Sequence, residues 1–202
     1  MGPAPTTIVG PDDDPLRTYS AEEQAQLTAN LSRLLEKVHA GSYSSEAMDI
    51  ALLEDLHRSI FGGVREHAGR RRAPGRGSEY VVFGPHRSFP HAQVEPALDK
   101  VFEDAKKSLR SLADNLDHAD YDFAAIRLAA WVHAEVIRIH PFEDGNGRTA
   151  RALMSLILVR TGMRPIAIES PKQEYLACLN QYYSAGDLDP FLDLCIRLYS
   201  TE

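Results

Sequence analysis

Apolar positions recur at helical spacing from Ser20 onward. In SAEEQAQLTANLSRLLEKVHAG, 20–41, Leu27, Leu31, Leu34, Leu35 and Val38 follow a Ser20 cap and an acidic first turn, and Gly41 ends the pattern. A second helix is predicted over 44–61, with Ile50, Leu53, Leu56, His57 and Ile60 as its inward stripe and Gly62-Gly63 as its stop. Val94, Leu98, Val101, Phe102, Ala105 and Leu109 mark a third, over 94–116. The stretch YDFAAIRLAAWVHAEVIRI, 121–139, is apolar around most of its circumference, as suits a central helix. ALMSLILVRTG extends a helix that starts within GNGRTAR and stops at Gly162, and two shorter helical patterns flank Gly186-Asp187. The one strong period-two signal is Tyr80-Val81-Val82-Phe83, followed by Gly84-Pro85 and a short return that includes Phe89. The pattern predicts an all-α domain of roughly seven helices with a small β-hairpin flap.

Composition sets limits on this picture. Residues 1–18, rich in Pro, Gly and Asp, are expected to form a flexible N-terminal arm without chemistry, ahead of an N-terminal helical region over 19–49. With 202 residues, 44% hydrophobic and 25% charged, the chain can bury a real core. Its formal charge of −7 argues against general attraction to nucleic acid or anionic membrane, although Arg65, Arg70, Arg71, Arg72 and Arg76 crowd one segment. Cys178 and Cys195 lie in apolar surroundings and read as buried free thiols. No run is long and apolar enough for a membrane span and no signal peptide opens the chain, so the expectation is a cytoplasmic protein, with delivery by a specialised machine left open.

The chemistry concentrates in HPFEDGNGRTAR, 140–151. Gly145-Asn146-Gly147 followed by a helix start can turn several N–H groups toward one anion. Arg148 and Arg151, one helical turn apart, offer fork-shaped donors to phosphate oxygens. Asp144 supplies a hard oxygen suited to Mg²⁺, and neutral His140 can take a proton from a hydroxyl. Phe142 reads as an anchor between them and Pro141 as a stiffener. Together these residues point to transfer of a phosphate-containing group to a hydroxyl. Taken singly each has a plainer reading: GNG as a mere turn, the arginines as partners of Glu143 or Asp144, His133 as a packed histidine. Walker A, GxGxxG, HExxH and GxSxG patterns are absent.

HPFEDGNGRTAR resembles the signature HxFx[D/E]GNGRxxR of the Fic family (filamentation induced by cAMP) at every fixed position. LHRSIFGGVREHAGRRR, 56–72, and YLACLNQYYSAGDLDPFLDL, 175–194, extend the similarity over 50–199. The resemblance implies a Fic-like catalytic domain that transfers AMP from ATP, with Mg²⁺, to a Ser, Thr or Tyr hydroxyl of a target protein and releases pyrophosphate. By position, His140 is the general base, Phe142 the anchor, Asp144 the magnesium ligand, Gly145, Asn146 and Gly147 the anion-binding turn, and Arg148 and Arg151 the contacts to the distal phosphates. The flap carrying Tyr80, Val81, Val82 and Phe83 is expected to pair with the target's main chain. Tyr182 and Tyr183 are candidates for the adenine side of the cleft, or plain core aromatics. Gly147 stands where the phosphorylating Doc-like members have lysine, which favours AMP transfer over phosphate transfer. UMP or phosphocholine transfer and a non-catalytic nucleotide-responsive module stay open as alternatives. An inhibitory helix would carry [S/T]xxxE[G/N]; the nearest match, SRLLEK at 32–37, has Lys37 in the last place. That leaves Glu36 as a degenerate internal inhibitor, a separate antitoxin-like partner, or no such restraint. A bacterial toxin or translocated effector acting on a host protein fits the same reading.

Overall fold

Residues 19–168 and 170–201 are described by a computed structural model, and the arm expected over 1–18 lies outside them. The described residues form seven helices and one hairpin: α1 Ala21–His39, α2 Ile50–Phe61, β1 Val82–Phe83, β2 His86–Arg87, α3 His91–Ala113, α4 Tyr121–Ile139, α5 Asn146–Arg160, α6 Lys172–Ala185 and α7 Asp189–Ser200. The all-α expectation with a small flap holds.

Local chemistry sets the boundaries. Ser20 and Glu23 form the capping box of α1, each side chain bonding the other's backbone N–H. The helix expected from residue 44 begins at Ile50 instead, because the Asp49 carboxylate caps it by accepting the N–H of Leu52 at 3.0 Å, leaving 41–48 as turns. The expected four-residue strand shortens to Val82–Phe83, paired Val82 to Arg87 and Phe83 to His86. Gly84 supplies the positive φ the tight turn needs. Val82 is exposed and Phe83 faces inward, as period two requires.

Helices α4 and α5 form the centre. Along α4, Ala125, Ile126, Leu128, Ala129, Ala130, Val132 and Val136 are buried, and α5 is buried from Asn146 through Leu158. A helix apolar on all sides needs cover on all sides, and α1, α2, α3, α6 and α7 supply it. α1 is part of this core through Leu27, Leu31, Leu34 and Val38. Asn30, also buried, donates its side-chain amide to the carbonyls of Ile60 (2.9 Å) and Gly62 (3.0 Å), fixing the end of α2 that carries Phe61. Cys195 is buried and Cys178 partly so, both as free thiols. No helix among the described residues is long and apolar enough to cross a membrane.

His133 sits fully buried on α4, its Nε2 paired with the Tyr175 hydroxyl at 2.9 Å and its ring against Phe191. Burial, reinforced by the Arg151 charge, pushes its pKa down from 6.5 to about 3. The unfolded chain therefore binds a proton that the folded chain refuses. Stability should fall as pH drops from about 6.5 toward about 3. In His133→Phe, urea unfolding at a series of pH values is expected to lose about 1 kcal/mol at pH 7 with the Tyr175 bond, yet decline less steeply over that acid range.

Candidate active site

The site begins where α4 ends. His140 is the C-cap of α4 in the left-handed region, φ 54° and ψ 61°, and is the only non-glycine among the described residues with positive φ. That conformation costs an ordinary residue roughly 1–2 kcal/mol. Two features impose it: Pro141 disfavours continuation of the right-handed helix, and the Arg72 guanidinium grips the His140 carbonyl, Nε at 2.9 Å and Nη2 at 2.7 Å. The imidazole Nδ1 lies 3.3 Å from the Ile137 carbonyl, which can only accept, so Nδ1 carries the hydrogen and Nε2 the lone pair. Phe83 of the flap lies parallel to this ring, centroids 4.8 Å apart and planes 10° apart.

The signature loop then turns into the core on Phe142, which is fully buried. Its ring stacks at 3.9 Å on His57 of α2, and His57 stacks at 4.7 Å on Phe61. Both nitrogens of His57 are committed. Nδ1 accepts the Gly69 N–H at 2.8 Å, so Nε2 carries the hydrogen and donates it to the Asp144 carbonyl at 3.0 Å. Burial pushes the His57 pKa down to about 4, which keeps this neutral tautomer near pH 7. Asn146 closes the loop from within: its side-chain oxygen accepts the Phe142 N–H and its amide donates to the Phe142 carbonyl, both at 2.9 Å. Its side chain is thus a staple, and only its main chain is available to an anion. Gly145 is required twice, by its φ of 78° and because a Cβ there would lie 2.1 Å from the Phe61 ring.

Helix α5 starts at Asn146 behind Gly145, a cap that has no side chain to satisfy the first amides. Its N-terminal positive end and the buried Arg148 and Arg151 make the electropositive wall of the site. Asp144 is buried just ahead of this cradle. Its carboxylate accepts a hydrogen bond from the Tyr19 hydroxyl and lies 3.6 Å from the Arg65 Nε. The Tyr19 ring is faced by two guanidinium groups, Arg65 at 4.3 Å and Arg148 at 5.0 Å from its centroid. Burial, then the hydrogen bond to Asp144, push the Tyr19 phenol up to about 12, so it is a donor near pH 7.

The structure brings His140, Phe142, Asp144, Gly145, Asn146, Gly147, Arg148 and Arg151 into one loop-helix unit, with Phe83 above it. The remaining candidates lie outside that unit. Tyr182 directs its hydroxyl to Glu135 of α4, which also pairs with Arg138 at 2.8 Å. Tyr183 sets its edge against Phe83 and His86, and His86 bonds Asn180 at 2.9 Å, so the flap tip is fastened to α6. Tyr80 and Val81 precede the short strand, and Val81 exchanges bonds with Ser88, its N–H to Oγ and its carbonyl to N–H, each at 2.9 Å. Glu36 is exposed near the far end of α1, about 20 Å along the axis from Glu23, whose carboxylate holds Arg65 at 2.7 Å beside Asp144.

Tyr19, His57 and Arg72 were not singled out by the sequence. The arginine-rich segment resolves into ties: Arg65 to Glu23 and Asp144, Arg71 to Glu54 at 2.7 Å and Glu95 at 3.4 Å, Arg72 inward. The described residues hold no group of three or more His, Cys, Asp or Glu side chains able to cage a metal.

The model of the Fic/DOC family matches residues 47–158, over half of the chain. The chain belongs to this family. A protein adenylyltransferase Fic of Nematostella vectensis is 35% identical over 156 residues, covering 76% of this chain and 33% of that protein. The chain thus spans about a third of that curated relative's length. Among solved structures, Fic-1 of Caenorhabditis elegans aligns with a TM-score of 0.63 at 25% identity, over 92% of this chain and 51% of that one. A Fic-domain signaling protein of Bacteroides thetaiotaomicron aligns with a TM-score of 0.70 at 22% identity, over 91% of this chain and 73% of that one, a likeness of fold.

Gly145→Ala should show how tightly the turn is packed. Left-handed strain and collision with Phe61 together predict a loss of about 3 kcal/mol in urea unfolding. Adding Phe61→Leu should cost less in that background than in the wild type, because it relieves the collision.

Proposed function

We propose that the protein is an enzyme that transfers AMP from ATP to a Ser, Thr or Tyr hydroxyl of another protein, releasing pyrophosphate. The observation that carries this reading is the joint placement of a base nitrogen, His140 Nε2, and a phosphate-binding helix start on the two sides of one loop pinned by Phe142. A nucleotide-binding module would need the cradle but not the base. Gly147 at the helix start and the naming of the 35%-identical relative as an adenylyltransferase support AMP as the group moved.

In this mechanism the amides at the start of α5, with Arg148 and Arg151, bind the phosphate chain and offset the charge that grows on the leaving pyrophosphate. The target hydroxyl attacks the α-phosphorus in line, the bond to the pyrophosphate oxygen breaks, and the hydroxyl proton passes to His140 Nε2. The Ile137 carbonyl holds the opposite nitrogen protonated, which leaves the Nε2 lone pair to take that proton.

The family implies Mg²⁺. Asp144 fits it, since magnesium commonly takes one or two carboxylates and fills its shell with water and phosphate oxygens. Mg²⁺ would neutralise phosphate charge there. The Tyr19 hydroxyl bonds Asp144 Oδ2 and would compete with the metal for that oxygen. The target would lie along the exposed edge of the hairpin at Val82, its backbone paired with the flap and its side chain lowered toward His140.

ATP labelled on the α- or the γ-phosphate tests the reaction directly. Protein-bound α label without γ label is expected; γ label on protein would overturn AMP transfer in favour of phosphate transfer. His140→Ala should reduce transfer by roughly 10²-fold or more with nucleotide binding retained. Tyr19→Phe removes the competing hydroxyl, so the Mg²⁺ concentration for half-maximal transfer is expected to fall; a rise would mean that Tyr19 assists the metal instead.

A further inference from the structure

Arg72 is the most enclosed cation among the described residues, 1% exposed, and its place in the fold is not that of a surface charge. The guanidinium reaches three separate pieces of chain. Nη1 donates to the carbonyls of Ser78 and Glu79, both at 3.0 Å, at the entry to the flap. Nη2 donates to Ser88 Oγ and to the Phe89 carbonyl, both at 3.1 Å, at its exit. Nε and Nη2 hold the His140 carbonyl, and Nη2 also approaches the Ile139 carbonyl at 3.3 Å. The Arg72 main-chain N–H adds a bond to the Pro141 carbonyl at 2.8 Å.

All these side-chain partners are neutral oxygens, so the charge is spread over carbonyl dipoles. Burial pushes the guanidinium pKa down, with partial compensation from Glu143. A buried cation without a carboxylate bound to it is costly, and a lysine would suit it poorly: one ammonium offers three N–H from a single point, the guanidinium five in a planar fork. The fork is what lets one side chain serve both flap stems and the end of α4 together. The last carbonyls of α4 have no partner within the helix, which makes them strong acceptors there.

We propose that Arg72 is a positioning residue that locks the height of the flap to the backbone of His140, so that Phe83 and the imidazole move as one unit. Three observations support it. The base sits in a left-handed conformation that needs outside support, and Arg72 holds that residue's own carbonyl. The two flap stems meet at the same guanidinium, with Ser88 Oγ accepting from Arg72 and from the Val81 N–H on either side. A second tie runs in parallel between the same two pieces, where the Glu143 carboxylate accepts the Ser78 N–H and its hydroxyl, the latter at 3.1 Å. A target strand pressing on the flap would then be felt at the base without touching it. For turnover this rests on the AMP-transfer reading; the mechanical coupling does not.

The test is therefore the chemical reactivity of His140 and needs no substrate. Diethylpyrocarbonate acylates an accessible unprotonated imidazole nitrogen, and peptide mass spectrometry reads each histidine separately. In the wild type Phe83 covers His140. Arg72→Lys should raise the His140 acylation rate roughly tenfold or more by freeing the flap, while buried His57 and His133 stay protected and report an intact fold. Phe83→Ala, which removes the cover and leaves the rivet, should raise it likewise. A folded Arg72→Lys that reacts at the wild-type rate would overturn the proposal, as would no change in Phe83→Ala. If Arg72→Lys does not fold, Ser88→Ala decides: it removes the hydroxyl that takes bonds from Arg72 and from the Val81 N–H while Arg72 keeps the Phe89 carbonyl, and a rate about two- to threefold above wild type is expected, an unchanged rate being the refuting result. Failure of AMP transfer in the labelling experiment would leave these rates, and the coupling they measure, untouched.

Discussion

The signature loop depends on one neutral imidazole held between two phenyl rings. His57 accepts from Gly69 on one side and donates to Asp144 on the other, while Phe61 and Phe142 cover its faces. No aliphatic side chain could fill the same slot, because both a donor and an acceptor are required inside an apolar sandwich. A lost partner would leave a buried backbone group unsatisfied, at a cost of about 1–3 kcal/mol. Through this stack α2 sets where Phe142 enters the core, where the Asp144 backbone lies, and how close Gly145 comes to Phe61. Asn30 of α1 fixes the end of α2 in turn. The chemistry is carried by one loop, but its coordinates are set by a helix some eighty residues upstream in sequence.

A part set in the core and a part held to it by side chains result. The cradle rides on α5, buried along most of its length, and inherits the stiffness of the core. The flap has two residues in each strand and is held by side-chain ties instead, Arg72 and Glu143 at its stems and His140, Tyr183 and Asn180 at its tip. An isolated hairpin this short has little stability of its own. A division of labour suits a group transfer in which the phosphates must be fixed and the incoming protein segment admitted.

Periodicity made most of the helical frame legible in the sequence, because the residues that bury α1, α2, α3 and α4 repeat at their own spacing. It failed at 44–49, where polar turn residues precede a capping aspartate whose role shows only once Leu52 is in place. The signature loop was legible for a different reason: its parts are contiguous, and each residue type has a restricted chemistry. The stapling of Phe142 by Asn146 depends on a loop closure that spacing does not encode. Tyr182 and Tyr183 read as candidates for the adenine side of the cleft or as core aromatics, and their partners, Glu135 and Phe83, lie far away along the chain and in different elements, where spacing does not reveal them. Arg72 was hidden among neighbours of the same type. Nothing in GRRR distinguishes the arginine that turns inward from those that face water, since the choice is made by carbonyls contributed from three distant segments.

Position 140 carries a conflict between folding and chemistry. Its left-handed backbone is the one that glycine and, next, asparagine adopt with least strain, and neither can serve as a proton acceptor in the way imidazole does. Histidine stands there against the local preference of the chain. Under the proposed transfer, drift guided by stability alone would tend to erase the base and leave a well-folded, silent relative. The backbone angle of one residue thereby makes activity at this site something that selection has to maintain.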